Sequence, residues 1–306
     1  MALTYGDLSA ITQDYFVPKM IDNIFDSNPL LARLRKSHYE RLSGGTKVIV
    51  PVLYAATTSS GWYTGADTLL TDDNQQFTAA EFDWKQIYSN ITVTGLDELK
   101  NGGKEQIVSL VKSKVQVAEK TMSDALGTGV FNAGTTTNAI IGLRLALAGT
   151  GYTYGGISKT TYSWFRGQTD AATTIATPAS IEAKLNDATI GTDAPTVIVT
   201  TRDIYDDLWA SLQPQQRFMD SDSAKAGFKS ISINGISVVV DSHCPASHLF
   251  AINENYLTLY VHKARDFKFE AFTKPVNQDL STAKIFWTGA LACSNPRMSV
   301  YMSTLA

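Results

Sequence analysis

Apolar positions along the chain fall into blocks whose spacing changes. Before residue 40, Ile11, Tyr15, Phe16, Met20, Ile21, Ile24 and Phe25 recur at helical steps, interrupted by Pro18. Asn28-Pro29 marks a break. Leu30, Leu31 and Leu34 then share a helical face beside Arg33, Arg35, Lys36 and Arg41. This pattern predicts an amphipathic arm without a core of its own, its basic face either solvated or laid on a neighbouring subunit. Ser43-Gly44-Gly45 predicts a turn, and a strand follows over 47–54. Pro51 cannot donate to a ladder, so this strand lies at an edge or ends there. The stretch 55–76 is rich in Thr, Ser, Gly and Asp, with Trp62 and Tyr63 near its middle. A strand returns over 77–93, through Phe77, Phe82, Trp84, Ile87, Ile91 and Val93. Two strands joined by so long a polar excursion make an extended flap. Such loops are functional or disordered, and the aromatic residues argue against disorder.

Gly102-Gly103 precedes the strongest helical pattern, over 104–126. Ile107, Val108, Leu110, Val111, Val115, Ala118, Met122, Ala125 and Leu126 form its apolar stripe. That helix is about 35 Å long at 1.5 Å per residue, and Gly127-Thr128-Gly129 predicts its stop. From Asn132 onward Thr, Gly and Ala dominate. Helices are expected over 180–188, after Pro178, and over 202–212, ended by Pro214; a buried strand is expected over 195–200. The run 230–240 reads as a hairpin turning at Asn234-Gly235, with further strands over 250–253 and 257–261. Residues 266–272 alternate apolar and charged, and 284–293 form a more continuous apolar strand. The whole reads as α+β, with an α+β or α/β module in its middle.

Composition narrows the function. The chain has 306 residues, 44% hydrophobic and only 18% charged, with a formal net charge of −3. Low net charge and ample apolar content exclude a disordered chain, and the slight acidity argues against a general nucleic-acid binder. Two cysteines, Cys244 and Cys293, are too few for a disulfide scaffold. No apolar run reaches the roughly 18 residues of a membrane span; the most hydrophobic stretch, 139–148, is short and contains Arg144. The first residues lack the basic and apolar blocks of a signal peptide.

Candidate chemistry is sparse. His243, Cys244 and His248 form the one cluster resembling a metal or nucleophile site, but zinc-ligand spacings are missing. Cys244, between a strand and Pro245, suits buried packing better. Phosphate-binding glycine loops and nucleophile elbows are missing too. Asp72-Asp73-Asn74 lacks the spaced pattern of a calcium loop. The reading is a protein without a catalytic role, a cofactor or a metal.

The order of parts carries more information. Asn28-Pro29-Leu30-Leu31 in the arm is followed by Lys47 to Pro51 entering the flap and by the return strand 77–93. The long helix 104–126 comes next. Then come the strand and helix over 195–212, and the strands through Phe267–Phe272 and Ile285–Ala292. This arrangement resembles the major capsid protein of tailed bacteriophages, the Hong Kong ninety-seven-type fold shared with encapsulins, over essentially the whole chain. The resemblance implies an N-terminal arm (1–46), an extended flap or E-loop (47–94), a peripheral domain with a spine helix (95–134 and 262–306) and an axial domain (135–261). It implies hexamers and pentamers in an icosahedral virion shell around double-stranded DNA, assembled in the host bacterial cytoplasm. The DNA is touched by weak non-specific contact. Scaffolding, portal and decoration proteins are further implied partners; no membrane is involved. Contacts between subunits are expected from Arg33, Arg35, Trp62, Tyr63, Trp84, Lys104 and Lys112. Alternatives are an encapsulin-like compartment and a sugar-binding or carbohydrate-active protein using Trp62 and Trp164 as stacking platforms.

Overall fold

A computed structural model describes residues 28–100, 110–170, 177–212, 231–303 and 305. The apolar positions expected to be helical from Ile11 to Phe25, the Gly102-Gly103 pair, Lys104 with the start of the long helix, and Pro214 lie outside the described residues. Helix α1 spans Pro29–Ser37, followed by strands β1 (Tyr39–Leu42), β2 (Lys47–Leu53), β3 (Phe77–Asp83) and β4 (Lys85–Thr94). Helices α2 (Gly95–Lys100), α3 (Leu110–Val130) and α4 (Leu143–Ala146) come next, then β5 (Thr153–Tyr154), β6 (Ile157–Ser158) and β7 (Gln168–Asp170). Helix α5 (Pro178–Ala188), β8 (Val197–Thr200), α6 (Arg202–Leu212), β9 (Ser232–Ile233) and β10 (Ile236–Val240) follow. The chain closes with β11 (Leu249–Ile252), β12 (Leu257–His262), β13 (Lys268–Thr273), β14 (Leu280–Cys293) and β15 (Val300–Met302).

The larger of two compact units comprises 26–87, 123–268 and 286–306. Its main sheet has the order β7-β15-β11-β8-β10-β9. β8 lies inside it, parallel to β10 and antiparallel to β11. All four β8 residues are buried, as expected of a short apolar strand with both faces covered. Helices α5 and α6 supply Ile181, Leu185, Ile204 and Leu208 to the core over this sheet. Thr177 and Ser180 form a reciprocal capping box and Pro178 opens the first turn, so α5 starts where its sequence says it should. Asn234 and Gly235 both adopt positive φ, 51° and 78°, the geometry of the tight hairpin turn expected there. A second sheet of this unit joins β1 in parallel to β12, and β12 antiparallel to the end of β14, from Gly289 to Cys293.

The flap is a two-stranded ribbon, β2 against β3, in register from Lys47↔Asp83 to Leu53↔Phe77. β2 runs through Pro51 to Leu53, so the proline sits in an edge rather than ending the strand. Val48, Val50, Ala80 and Phe82 form its buried face, with Phe82 packed on Tyr154 at 5.0 Å. Gly155, in the turn between β5 and β6, accepts a hydrogen bond from the Glu81 N–H and steadies the ribbon's base. The return strand expected over 77–93 is two strands. It breaks at Trp84, whose Nε1 donates to the Gly45 carbonyl at 2.9 Å.

The smaller unit includes 88–122 and 269–285. Here Lys114 Nζ, on α3, donates to the Thr92 carbonyl at 2.8 Å and pairs with Asp97 of α2 at 3.8 Å. β13 and the first half of β14 form a hairpin. The alternation expected over 266–272 does not bury a face: β13 is open on both sides, and Phe269 is 44% exposed.

Helix α3 does not stop at Gly127. It continues through both glycines to Val130. A Cβ on Gly127 would lie 2.5 Å from Asn28 Oδ1, and one on Gly129 would lie 2.9 Å from Ile140 Cγ1. The glycines are places of close approach inside a helix, not its C-cap. Their helix-propensity cost of about 1 kcal/mol each is offset by the packing they permit.

Candidate interaction surfaces

The arm helix α1 is seated by three apolar residues and one unusual cap. Leu30, Leu31 and Leu34 are almost fully buried. Asn28 does not cap the helix; its Nδ2 donates instead to the Ser123 carbonyl of α3 at 2.8 Å. The first-turn N–H of Leu30 meets Asp241 Oδ2 at 3.4 Å, so a buried carboxylate stands at the helix N-terminus, where its charge is favoured. His243 is held between that aspartate and α3. Its Nδ1 is 3.1 Å from Asp241 Oδ1 and its Nε2 is 2.7 Å from Asp124 Oδ1. Both ring nitrogens lie within hydrogen-bond distance of a carboxylate oxygen. Thus His243 is a structural tie, while His248 packs its ring against Tyr301. Cys244 and Cys293 are buried free thiols. Burial pushes both up, Cys293 to about 12.

Of the arm's basic residues, Arg33 is engaged inside the chain. It makes a bidentate pair with the largely buried Glu254, at 2.8 and 2.7 Å. The guanidinium holds that carboxyl below the usual carboxylate range. Arg41 pairs with Asp266 at 2.6 Å. Asp266 also accepts from Tyr39, whose hydroxyl is pushed up to about 12 by burial and then by this bond. Arg35 is exposed and lies 4.9 Å over the Phe267 ring.

The flap's aromatic residues divide into two kinds. Trp62 is fully exposed and Tyr63 is 67% exposed, alongside exposed Leu69 and Leu70. Trp84 is half-buried, bonded to Gly45 and edge-on to His262 at 5.7 Å. The outer face of the ribbon adds exposed Ile49, Leu53 and Phe77. The excursion is cross-braced by Asn74, which accepts from the Thr58 N–H at 3.1 Å and donates to the Ala56 carbonyl at 3.0 Å. Residues 54–76 carry Asp67, Asp72 and Asp73 but neither Lys nor Arg. At the end of the ribbon where the excursion begins, Tyr54 stacks on Trp164 at 5.3 Å, beside a cleft of about 430 Å³ that Glu81 and Tyr162 also line. In the smaller unit Lys112 is exposed on α3, and a cleft of about 390 Å³ opens between β4 and α3, lined by Asn90, Thr92, Lys114 and Val117. Lys104 lies outside the described residues.

Sequence reasoning missed the Asp124–His243–Asp241 tie and Lys159. Lys159 is fully buried and donates to the carbonyls of Leu145, Ala146 and Ala148 at 2.9, 2.6 and 2.9 Å. Its ammonium lies 5.5 Å from the Tyr154 ring, and burial pushes its pKa down to about 8. Backbone acceptors leave no trace in a sequence, so nothing in the Thr/Gly-rich stretch could have announced this lysine. Among the described residues no group of three His, Cys, Asp or Glu side chains is placed to hold a metal.

No family model matches the chain, and no curated protein sequence does either. Solved structures do. The capsid asymmetric unit of cyanophage A-1(L) superposes with a TM-score of 0.73 at 17% identity, covering 99% of each chain. The capsid of a native GTA particle gives 0.69 at 11% identity, over 100% of both chains. The SrpI encapsulin of Synechococcus elongatus PCC 7942 gives 0.65 at 10% identity, over 100% of this chain and 96% of that one. At these identities the likeness speaks for the fold, and it extends from one end of the chain to the other. The chain therefore has the Hong Kong ninety-seven-type capsid fold, common to phage capsids and encapsulin shells.

Proposed function

We propose that this chain is the major shell protein of a tailed phage, assembling as hexamers and pentamers into an icosahedral virion capsid that encloses double-stranded DNA. It performs no catalytic step. The single observation that carries the reading is full-length likeness to capsid subunits in a chain whose flap holds Trp62, Leu69 and Leu70 out in solvent. Large aromatic and aliphatic side chains so displayed are the anchors of interface cores. In this reading residues 1–46 are the arm and 47–94 the E-loop. Residues 95–134 with 262–306 make the peripheral domain, and 135–261 the axial domain. The flap's three aspartates match Lys104 and Lys112 of a neighbour, and supply orientation rather than bulk affinity. Tyr63 takes part in the same contact, and Arg33 and Trp84 hold the arm and flap base in shape. Scaffolding, portal and decoration proteins are the partners this role brings, and assembly takes place in the bacterial cytoplasm.

The variant W62A/L70A tests the flap. Native mass measurement is expected to show wild-type protein in capsomers and shells, and the variant as folded monomer with an unchanged circular dichroism spectrum. Capsomers formed equally well by the variant would overturn the flap's role. The likeness to the SrpI encapsulin favours one second reading, a cargo-holding compartment. It is distinguished by the content of purified shells, an enzyme cargo in place of DNA.

A further inference from the structure

Charge is unevenly placed on this chain. Its formal net charge is −3, yet one region of the larger unit is strongly basic. Arg35 and Lys36 end helix α1, Arg41 lies on β1, Lys263 and Arg265 lie on the segment joining β12 to β13, and Lys268 opens β13. The fold brings them together. β1 runs beside β12, with Leu42 opposite His262, and Arg41 reaches Asp266. Arg35 stacks over Phe267 at 4.9 Å, and Arg265 stacks over Phe286 at 4.9 Å while donating to the Gln86 amide oxygen at 2.9 Å. The nearby carboxylates in sequence are Glu40, Asp266 and Glu270, and Asp266 is taken by Arg41 and Tyr39. That leaves Arg35, Lys36, Lys263, Arg265 and Lys268 without a carboxylate partner among the described residues. Arg35, Lys36, Lys263 and Lys268 are exposed.

We infer that this patch binds the phosphate backbone of a nucleic-acid duplex without reading its sequence. Uncompensated cations on exposed stems are the footprint of counterion-releasing phosphate contact. The two arginines lie over rings that orient their guanidinium planes, which leaves N–H edges free for phosphate oxygens. The acidic flap of a second copy is the competing occupant, and the patch suits it less well. Trp62, Leu69 and Leu70 need an apolar seat, whereas Phe267 and Phe286 are covered by guanidinium groups. Identifying the duplex as packaged DNA rests on the shell reading above; the affinity for a phosphate backbone does not.

The test is fluorescence anisotropy of a short labelled DNA duplex with the full chain, as salt is raised from ~50 mM to ~200 mM. Binding is expected at low salt, with log affinity falling linearly against log salt. K263A/K268A removes two exposed cations that have no hydrogen-bond or ion-pair partner among the described residues. It should lower the slope by about 0.9 for each cation lost. K184A/R202A removes two cations elsewhere in the same unit, paired with Asp187 and Asp206, and should leave the slope unchanged. The inference is overturned if the duplex does not bind at low salt, or if both variants weaken binding equally. It is also overturned if a polyglutamate peptide binds where the duplex does not. Electron microscopy of K263A/K268A separates the two claims: shells that form with weakened duplex binding confirm the patch, and a wild type that never forms shells removes the capsid reading alone.

Discussion

Lys159 shows how far single residues escape a sequence reading. An ammonium with no exposed surface is tolerated because three carbonyl oxygens, from Leu145, Ala146 and Ala148, accept its three N–H bonds. Replacing it with Met takes that donor from the Ala146 and Ala148 carbonyls and is expected to destabilise the fold by about 1–3 kcal/mol. The pH dependence has a definite sign. The folded-state pKa lies near 8, below the free-lysine value of 10.5. Between these values the unfolded chain keeps a proton that the folded chain has released, so wild-type stability rises with pH in that window. The deficit of K159M, measured by urea unfolding, should therefore widen from about pH 8 to 10.5. A deficit that narrows would contradict the lowered pKa and show that the three carbonyls hold the charge more strongly than burial opposes it. Arg33 makes the complementary point. Its sequence neighbourhood suggested a solvated or intersubunit charge, but its partner Glu254 lies 221 positions away. No periodicity could have paired them.

Elements were more legible than their ends. Helix α6 spans 202–212, as its apolar spacing predicts, and α5 begins at its proline and capping residues. Local rules decide these, so local sequence suffices. The ends of α3 and of the flap's return strand were misread because tertiary contacts decide them. Gly127 reads as a stop signal until Asn28 is seen lying against it, and Trp84 reads as a strand residue until its indole finds the Gly45 carbonyl. The substitution G127A sets the two meanings against each other. As a mid-helix glycine its replacement gains about 1 kcal/mol of helix propensity. As a site of close approach it forces a methyl group to 2.5 Å from Asn28 Oδ1, and overpacking of that kind costs about 1–3 kcal/mol. The clash should win. Asn28 is displaced, its bond to the Ser123 carbonyl is lost, and limited proteolysis near the start of α1 becomes faster than in wild type. An unchanged proteolysis rate would show that the glycine is not needed for seating the arm.

At the scale of the whole molecule the succession of parts carried the fold: arm, polar flap, long helix, Thr/Gly-rich module, closing strands. That succession is a matter of lengths and periodicities, which survive when identity to the cyanophage capsid subunit has fallen to 17%. The interaction surfaces were legible only in outline. Exposed Trp62 and Tyr63 stand out as residue types in a polar loop, but the basic patch draws on α1, β1 and the β12–β13 connection, whose closeness is a property of the fold. The low charged fraction of the chain now has a physical place. Much of its uncharged surface belongs to a flap that offers Ile49, Leu53, Trp62, Leu70 and Phe77 to solvent, a display that a lone subunit has no reason to keep. Cryo-electron microscopy of the purified wild-type chain, alone and with a co-expressed scaffolding partner, tests this most directly. The account predicts closed icosahedral shells of pentamers and hexamers, with each flap lying on a neighbouring subunit. Small monomers under every condition would contradict it.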